Sequence, residues 1–202
     1  DWLECHCCES TSRPLTPEMF RADGWEVEER PYGTRVYEQM FTLMQFSTSE
    51  PLLEIRRVPV TNKSKVAQVI DPHSCHIRLH NRTCYFDDAA QLLENFLARY
   101  NIQMMRISRI DICLDFEKFD SGDEPQKFMM RYLSNKYSKI NQANISAHGK
   151  DMWDGRAWNS ISWGEDKSMI TTKFYNKTME LATKKDKPYI RQAWARYGLV
   201  SD

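Results

Sequence analysis

The chain has 202 residues, enough for one domain or two small ones, and its hydrophobic fraction of 41% and aromatic fraction of 12% exclude wholesale disorder. It contains no apolar run of about eighteen residues, which excludes a predicted membrane span. The net charge is zero, but residues 1–29 are acidic, whereas residues 127–150 and 167–191 are basic. Because a polyanion binds a local patch, this charge is compatible with a DNA partner, although each run is also typical of a solvated helix face.

Strand patterns dominate the first half of the chain. Strand-forming residues and flanking turn residues predict four strands there, at "DWLECHCC" (1–8), "RVYEQMFTLMQF" (35–46), "PLLEIRRVPV" (51–60) and "CHIRLHNRTCYF" (75–86). An amphipathic helix follows over "DDAAQLLENFLARY" (87–100), with Asp87 or Asp88 as its cap.

The second half mixes strands and helices. The patterns predict a largely buried strand at "RISRIDICLDFEKF" (106–119), a helix at "PQKFMMRYLSNKYSKI" (125–140), a hairpin of "RAWNSISWG" (156–164) with "SMITTKFYNK" (168–177), and a short helix at "PYIRQAWARYGL" (188–199). This order predicts an α+β fold, with a mostly antiparallel central sheet and helices packed mainly on one face, as a single domain over residues 1–202.

Two acids lie on the predicted buried strand. Arg109, Asp111 and Asp115 alternate with apolar residues, so they face away from the core. Charges on such a strand are costly unless they pair across the sheet or bind a hard cation such as Mg²⁺ or Mn²⁺. Residues four apart in a strand are separated by about 13 Å, so Asp111 and Asp115 are not expected to bind one ion directly. Glu54 is a candidate ligand from a neighbouring strand.

The cysteine residues are predicted to be structural, and His76 and His80 are predicted to lie at the surface or to face DNA. Cys5 and Cys7 share one face of a strand, with His6 on the other, which favours packed thiols over a zinc site. The apolar surroundings of the six cysteines and the lack of a signal-peptide pattern indicate reduced thiols in a cytosolic protein. His76 and His80 are interpreted as surface or DNA-facing groups and not as metal ligands.

The segment "TTKFYNKTMEL" (171–181) places a tyrosine between two lysines. In a strand, Lys173, Tyr175 and Lys177 point the same way. A tyrosine with its usual pKa near 10 is a poor nucleophile, but two nearby ammonium groups would favour the phenolate and hold a phosphate oxygen. The alternative is an ordinary packed or surface tyrosine.

Larger blocks add a resemblance. Taken in order, "LLEIRRVPV", "SCHIRLHNRTCY", the segment from "SRIDICLDFEKF" to "SISWG", "TKFYNKTMEL" and "KDKPYIRQAWARYGL" resemble the trans-acting rolling-circle replication initiators of plasmids, phages and mobile elements, in a Bacteroides-type version. The most specific parts are the Arg-x-Asp-x-x-x-Asp strand and the Tyr-Asn-Lys segment after the Trp-Gly turn. The resemblance covers nearly the whole chain, which is expected to stop before a family strand that carries an Arg-x-Glu segment.

The resemblance implies a bacterial, cytoplasmic enzyme that nicks one strand at an origin and later rejoins it. Tyr175 would form a 5′-phosphotyrosyl link, and Mg²⁺ or Mn²⁺ would be bound by Asp111, Asp115 or both. Candidate partners are origin DNA, a host helicase and a second copy of the chain. The alternatives are a non-catalytic DNA-binding module and a protein-interaction domain.

The basic residues expected to contact DNA lie in several segments of the chain. They are Arg78, Arg82, Arg109, Lys173, Lys177, Lys184, Lys185, Lys187 and Arg191.

Overall fold

The structure, a computed structural model, describes residues 2–60, 71–133, 145–146, 160–164, 169–183 and 187–199. The chain divides into two compact units, residues 1–113 and residues 114–202. The prediction of one functional domain over the whole chain is not tested by this division. No helix in the described ranges is long and apolar enough to cross a membrane.

The first unit is built on a six-stranded sheet. Its strands are β1 (Trp2–Cys8), β2 (Glu26–Glu29), β3 (Tyr37–Gln45), β4 (Glu50–Pro59), β5 (Ser74–Leu79) and β6 (Gln103–Asp111). They lie in the order β2-β3-β4-β5-β1-β6, and each neighbouring pair is antiparallel. The prediction of an α+β fold with a mostly antiparallel sheet is confirmed.

Two helices cover one face of this sheet. Helix α1 (Pro17–Ala22) begins after Thr16, whose Oγ1 accepts a hydrogen bond from the Met19 N–H at 3.2 Å. Helix α2 (Ala89–Arg99) follows a short 3-10 helix (Thr83–Tyr85). Phe20 of α1 and Phe96 of α2 pack against one another and join the core formed by the sheet. In this unit the helices therefore lie on one face, as predicted.

The thiols of β1 belong to that core. Cys5 and Cys7 are 1% and 0% exposed, whereas His6 between them is only partly buried, so the predicted alternation is confirmed. Burial raises the pKa of Cys7 to about 12 and also raises the pKa of Cys75. The six cysteines, all in described positions, form no disulfide. Cys7 and Cys75 are inert packing groups because a thiol that stays protonated is a poor nucleophile.

Strand β6 differs from its prediction as a buried strand. It ends at Asp111, all nine of its residues are exposed, and it lies at the edge of the sheet beside β1. Ile110 is 56% exposed and Ile112, just past the strand, is 87% exposed. The apolar pattern predicts burial for a central strand, but the pairing order places β6 at the margin of the sheet, beyond the part that α1 and α2 cover.

In the part of the second unit that the structure describes, there are a small antiparallel sheet and three helices. The strands are β7 (Ile145–Ser146), β8 (Ser160–Trp163) and β9 (Thr172–Tyr175), in the order β7-β8-β9. The helices are α3 (Pro125–Leu133), α4 (Lys177–Thr183) and α5 (Pro188–Arg196). The predicted pairing of β8 with β9 is confirmed, with Ile161 opposite Phe174. Residues 134–140 of the predicted second helix lie outside the described residues.

Candidate functional site

Tyr175 is the last residue of β9. The preceding residue, Phe174, packs among Phe116, Phe119 and Phe128, with ring centroids 5.8, 6.3 and 5.3 Å away. Successive strand side chains point to opposite faces, so the aromatic cluster fixes Phe174 inward and directs Tyr175 to the other side. The strand thus presents the hydroxyl of Tyr175 away from the cluster.

Two lysines surround the Tyr175 ring. Lys177 Nζ donates to Tyr175 Oη at 2.9 Å and forms an ion pair with Glu180 at 2.9 Å. Lys173 Nζ lies 5.0 Å from the ring centroid and Lys177 Nζ lies 5.2 Å from it. The expected grouping of the three residues is therefore found. Lys177, however, is the first residue of α4, so a strand-to-helix turn and not strand alternation brings it to Oη.

The pKa of Tyr175 is raised, whereas two nearby ammonium groups were expected from the sequence to lower it. Burial raises its pKa above the usual value and outweighs the hydrogen bond and charge of Lys177, which lower it; Glu180 and Asp115 add to the rise. For Lys177, burial alone would lower the pKa, but the hydrogen bonds to Tyr175 and Glu180 raise it. At neutral pH the site therefore holds a neutral phenol beside an ammonium group.

Asn176 links the strand to the helix. Its Oδ1 accepts a hydrogen bond from the Met179 N–H at 2.9 Å, which is the pattern of a helix N-cap. The cap fixes the start of α4 and with it the backbone of Lys177. The asparagine in the Tyr-Asn-Lys segment thus has a structural role that the sequence alone did not assign.

We expect Asn176→Ala to lower the free energy of unfolding by about 1 kcal/mol, since the first turn of α4 loses its side-chain acceptor. Urea denaturation monitored by circular dichroism measures the change. Asn176→Asp is the matched control because aspartate is an equally good cap. Equal stability of the alanine and aspartate variants would contradict the role.

Asp115, the second acid of the predicted strand, is held by a helix of its own unit. Its Oδ2 accepts a hydrogen bond from Trp194 Nε1 at 2.7 Å, and Trp194 of α5 is 8% exposed. The carboxylate is near enough to Tyr175 for its charge to raise the pKa of the phenol. Asp115 is therefore a predicted metal ligand that lies near Tyr175 within the same unit.

The other predicted acids lie on the first unit's sheet, on the face opposite the core. Register aligns Glu54, Arg78, Glu4 and Arg109 in a row across β4, β5, β1 and β6. We call the surface formed by this row and its neighbours the polar sheet face, which comprises Trp2, Glu4, Glu54, Arg56, His76, Arg78, Arg109 and Asp111. On this one surface lie residues of three strands, β4, β5 and β6, that were predicted to bind DNA or metal.

Ion pairs lie along the strands of the polar sheet face. Arg109 binds Asp111 in a bidentate pair at 2.8 and 2.7 Å, and Arg56 contacts Glu54 at 2.8 and 2.5 Å. The Arg109 hydrogen bonds lower the pKa of Asp111. Both acids are therefore paired with arginines two residues away on their own strands, whereas the alternative interpretation of a structural polar face placed their partners across the sheet.

Trp2 was missed by the sequence interpretation, whereas His76 was interpreted as a surface or DNA-facing group. The guanidinium carbons of Arg78 and Arg109 lie 3.3 and 4.2 Å from the Trp2 ring centroid. Within the described part of the chain, Trp2 Nε1, Arg78 Nε and His76 Nδ1 are buried atoms without a hydrogen-bond partner. The even-numbered positions of β1 carry the signal for this face, because Trp2, Glu4 and His6 alternate with the buried Cys5 and Cys7.

The predicted metal ligands do not form a ready cation site. Each of Glu54, Asp111 and Asp115 is bonded to an arginine or an indole N–H. No group of three or more histidine, cysteine or acidic residues suited to a metal occurs among the described residues. A cation bound by these carboxylates would have to displace their present partners.

The remaining basic residues are dispersed. Arg82 forms an ion pair with Glu50 and lies over the Phe86 ring. The guanidinium carbon of Arg82 is 5.8 Å from the ring centroid. Lys187 precedes α5 and Arg191 lies within it, both partly exposed. Lys184 and Lys185 fall outside the described residues. Contact of any of these residues with DNA stays a prediction.

Comparison with protein-family models, curated proteins and solved structures finds no match for this chain.

Proposed function

We propose that the chain is a rolling-circle replication initiator, a DNA endonuclease and strand transferase with Tyr175 as its nucleophile. The observation that carries the proposal is the 2.9 Å hydrogen bond from Lys177 Nζ to Tyr175 Oη, at a hydroxyl that the aromatic cluster directs out of the core. A lone surface tyrosine has no need of a half-buried ammonium that is itself held by Glu180.

The chemistry requires no oxidant or second reactant. Tyr175 Oη attacks phosphorus and forms a bond to it, while the bond from phosphorus to the 3′ oxygen of the upstream fragment breaks. The phosphate stays attached to the 5′ oxygen of the downstream fragment, which is thereby linked to the tyrosine. The phenol proton ends on the departing 3′ oxygen. Rejoining is the reverse reaction, in which the 3′-hydroxyl attacks the phosphotyrosine.

Lys177 has two tasks in this reaction. In the free protein its ammonium orients the phenol through the hydrogen bond to Oη. When DNA binds, the same ammonium can donate to a non-bridging phosphate oxygen and stabilise the charge that develops there. Lys173, at 5.0 Å from the ring, supplies a second cation for the flanking backbone. Raised pKa values keep Lys177 charged and Tyr175 protonated until substrate arrives.

Mg²⁺ or Mn²⁺ is part of the proposal as a cofactor, with Glu54, Asp111 and Asp115 as its candidate ligands. These carboxylates are paired as described above, and they do not fit a preformed site. No step of the reaction is therefore assigned to the cation. The dependence on metal is a matter for direct measurement.

The alternative function is DNA binding without cleavage. The neutral phenol of Tyr175 and the paired acids favour this alternative, because neither is activated in the free protein. In this case the basic residues of the polar sheet face would bind phosphate, and the affinity would fall steeply with salt.

Trapping a covalent complex tests the proposal. We expect the chain, incubated with a labelled library of hairpin and single-stranded oligonucleotides in Mg²⁺ or Mn²⁺, to yield an adduct that survives SDS. Protease digestion and mass spectrometry should locate the nucleotide on the peptide that contains Tyr175, and an EDTA control measures the metal dependence. Salt-sensitive binding without an adduct would favour the alternative function. Lack of DNA affinity at low salt would contradict both.

A further inference from the structure

Two adjacent apolar side chains lie in solvent just before β9. Met169 is fully exposed and Ile170 is 80% exposed, and both belong to the connection between β8 and β9. A single exposed apolar side chain is ordinary on a protein surface, whereas contiguous exposed apolar groups mark contacts with other molecules. We call Met169 and Ile170 the apolar pair, and its exposure makes it a candidate contact site.

The hairpin holds the backbone of the apolar pair in place. Trp163 of β8 pairs with Thr172 of β9, and Trp163 Nε1 donates a hydrogen bond to the Tyr132 hydroxyl of α3 at 2.8 Å. Gly164 has a φ of +98°, and a Cβ atom there would lie 2.8 Å from the carbonyl oxygen of Ile170. Because glycine allows both this φ and this close approach, the backbone of Ile170 lies directly against the end of β8. Apolar side chains on a backbone held in this way can act as a wedge.

An exposed stretch of chain leads from the apolar pair to Tyr175. Every residue from Met169 to Lys173 is exposed, and Phe174 then packs into the aromatic cluster while Tyr175 points to the other side. Ile170 precedes Tyr175 by five residues, which in extended chain is a distance of about 16 Å. Lys173 lies between them and gives this stretch a positive charge.

A step between stacked DNA bases fits both features of this surface. Proteins that kink or open DNA insert apolar side chains, isoleucine and methionine among them, between stacked bases, and their basic residues bind the adjacent phosphates. The apolar pair offers the first kind of contact, and Lys173, with Lys177 on the other side of Tyr175, offers the second. A protein partner would account for the apolar pair but not for the cations that follow it toward Tyr175.

We propose that Met169 and Ile170 insert between stacked bases and open paired DNA for attack by Tyr175. The inference rests on the proposed function, because it takes Tyr175 to be the residue that cuts the strand. The distance of about 16 Å between Ile170 and Tyr175 spans about five nucleotides of one strand, since each nucleotide rises by about 3.4 Å. The opened step therefore lies within about five base pairs of the cut.

The fluorescence of 2-aminopurine, which increases when the base is unstacked, measures this opening. The probe is a DNA hairpin whose stem consists of easily unstacked TA steps, with 2-aminopurine in place of one adenine at a time. At low salt, where phosphate contacts are sufficient for binding, the unaltered chain should bind the hairpin and raise the fluorescence. The serine variant, Met169→Ser with Ile170→Ser, should bind but leave the fluorescence at the level of free DNA. The leucine variant, with leucine at both positions, keeps the apolar surface and should keep the rise.

Two controls separate the wedge from a general loss of apolar surface. Met130→Ser removes another half-exposed methionine, in α3 of the same unit, and should raise the fluorescence as the unaltered chain does. A single-stranded oligonucleotide needs no opening, so the serine variant should form the SDS-resistant adduct with it at the level of the unaltered chain. With hairpin DNA of the same sequence, the adduct yield of the serine variant should fall at least about tenfold.

The outcomes distinguish failure of this inference from failure of the proposed function. If the unaltered chain binds the hairpin without a rise in fluorescence, or if the serine variant raises it as much as the leucine variant does, the inference is overturned and the nuclease proposal stands. An equal loss of adduct with single-stranded and hairpin DNA also overturns the inference. Hairpin DNA that is opened by the apolar pair but never forms an adduct supports the inference and contradicts nicking. Absence of DNA binding overturns both and favours a protein partner for the apolar pair.

Discussion

Replacement of Tyr175 by phenylalanine is expected to abolish covalent attachment to DNA, by at least about a thousandfold, while DNA affinity is unchanged. Phenylalanine keeps the ring in its half-buried position but lacks the oxygen that attacks phosphorus. Lys173 and Lys177 stay in place as phosphate ligands, so the expected loss is confined to chemistry. Quantification of the SDS-resistant adduct, beside fluorescence anisotropy with the same oligonucleotide, checks both parts.

Tyr197→Phe is the control for this experiment. Tyr197 follows α5 and is 73% exposed, and it belongs to the same unit as Tyr175. Its loss of a hydroxyl should leave the adduct yield at the level of the unaltered chain. A Tyr175→Phe variant that still forms the adduct would remove Tyr175 from the nucleophile's role, and an adduct lost only with Tyr197→Phe would transfer that role.

Local patterns in the sequence were sufficient for several elements and their faces, but they did not predict α1 or β2, and the strand predicted over 75–86 ends at Leu79. The alternation of Cys5 and Cys7 with His6 identified the buried face of β1, and the pairing of β8 with β9 followed from a short turn between two strand-forming runs. Such features depend on residues close in sequence, whose side-chain period is fixed by the backbone. They hold before tertiary contacts are considered.

The position of β6 in the sheet could not be predicted from local patterns. The run of isoleucines through Ile110 has the composition of a central strand, but its place at the edge depends on pairing with β1, about a hundred residues earlier in the chain. Its register, which shifts between Glu4 and Cys5 and again between His6 and Cys7, also depends on that partner.

The candidate site shows the same division between local and tertiary causes. Spacing alone grouped Tyr175 with Lys173 and Lys177, because all lie within five residues of one another. The direction of the Tyr175 pKa could not be read from spacing, since it depends on how much solvent the fold removes from the phenol. The contact between Asp115 and Trp194 joins residues far apart in sequence and has no local pattern.

A buried ion pair in the first unit is expected to have the largest effect on stability. Glu9 and Arg57 are 7% and 8% exposed, and their side chains form two contacts of 2.8 and 3.2 Å. Glu9 Oε2 also accepts a hydrogen bond from the Leu15 N–H at 2.6 Å, and Arg57 donates to Gln39 at 2.6 Å. Glu9 directly follows β1 and keeps the parity of Cys5 and Cys7, so its carboxylate lies on the core side of the sheet, where it needs a cation.

Arg57→Met should therefore lower the free energy of unfolding by about 3 to 5 kcal/mol, because it leaves the Glu9 carboxylate buried without its cation. Arg13→Met is the matched control: Arg13 pairs with Asp23 at a similar 2.9 Å, but its side chain is 47% exposed, and its loss should cost at most about 1 kcal/mol. Adding Glu9→Gln to Arg57→Met should recover part of the loss, since a neutral amide is cheaper to bury and still accepts from Leu15. Urea denaturation of the four chains measures these differences. If Arg57→Met were as mild as Arg13→Met, the pair would not hold β1 to β4; if the double variant recovered nothing, the loss would arise from packing of the arginine side chain and not from its charge.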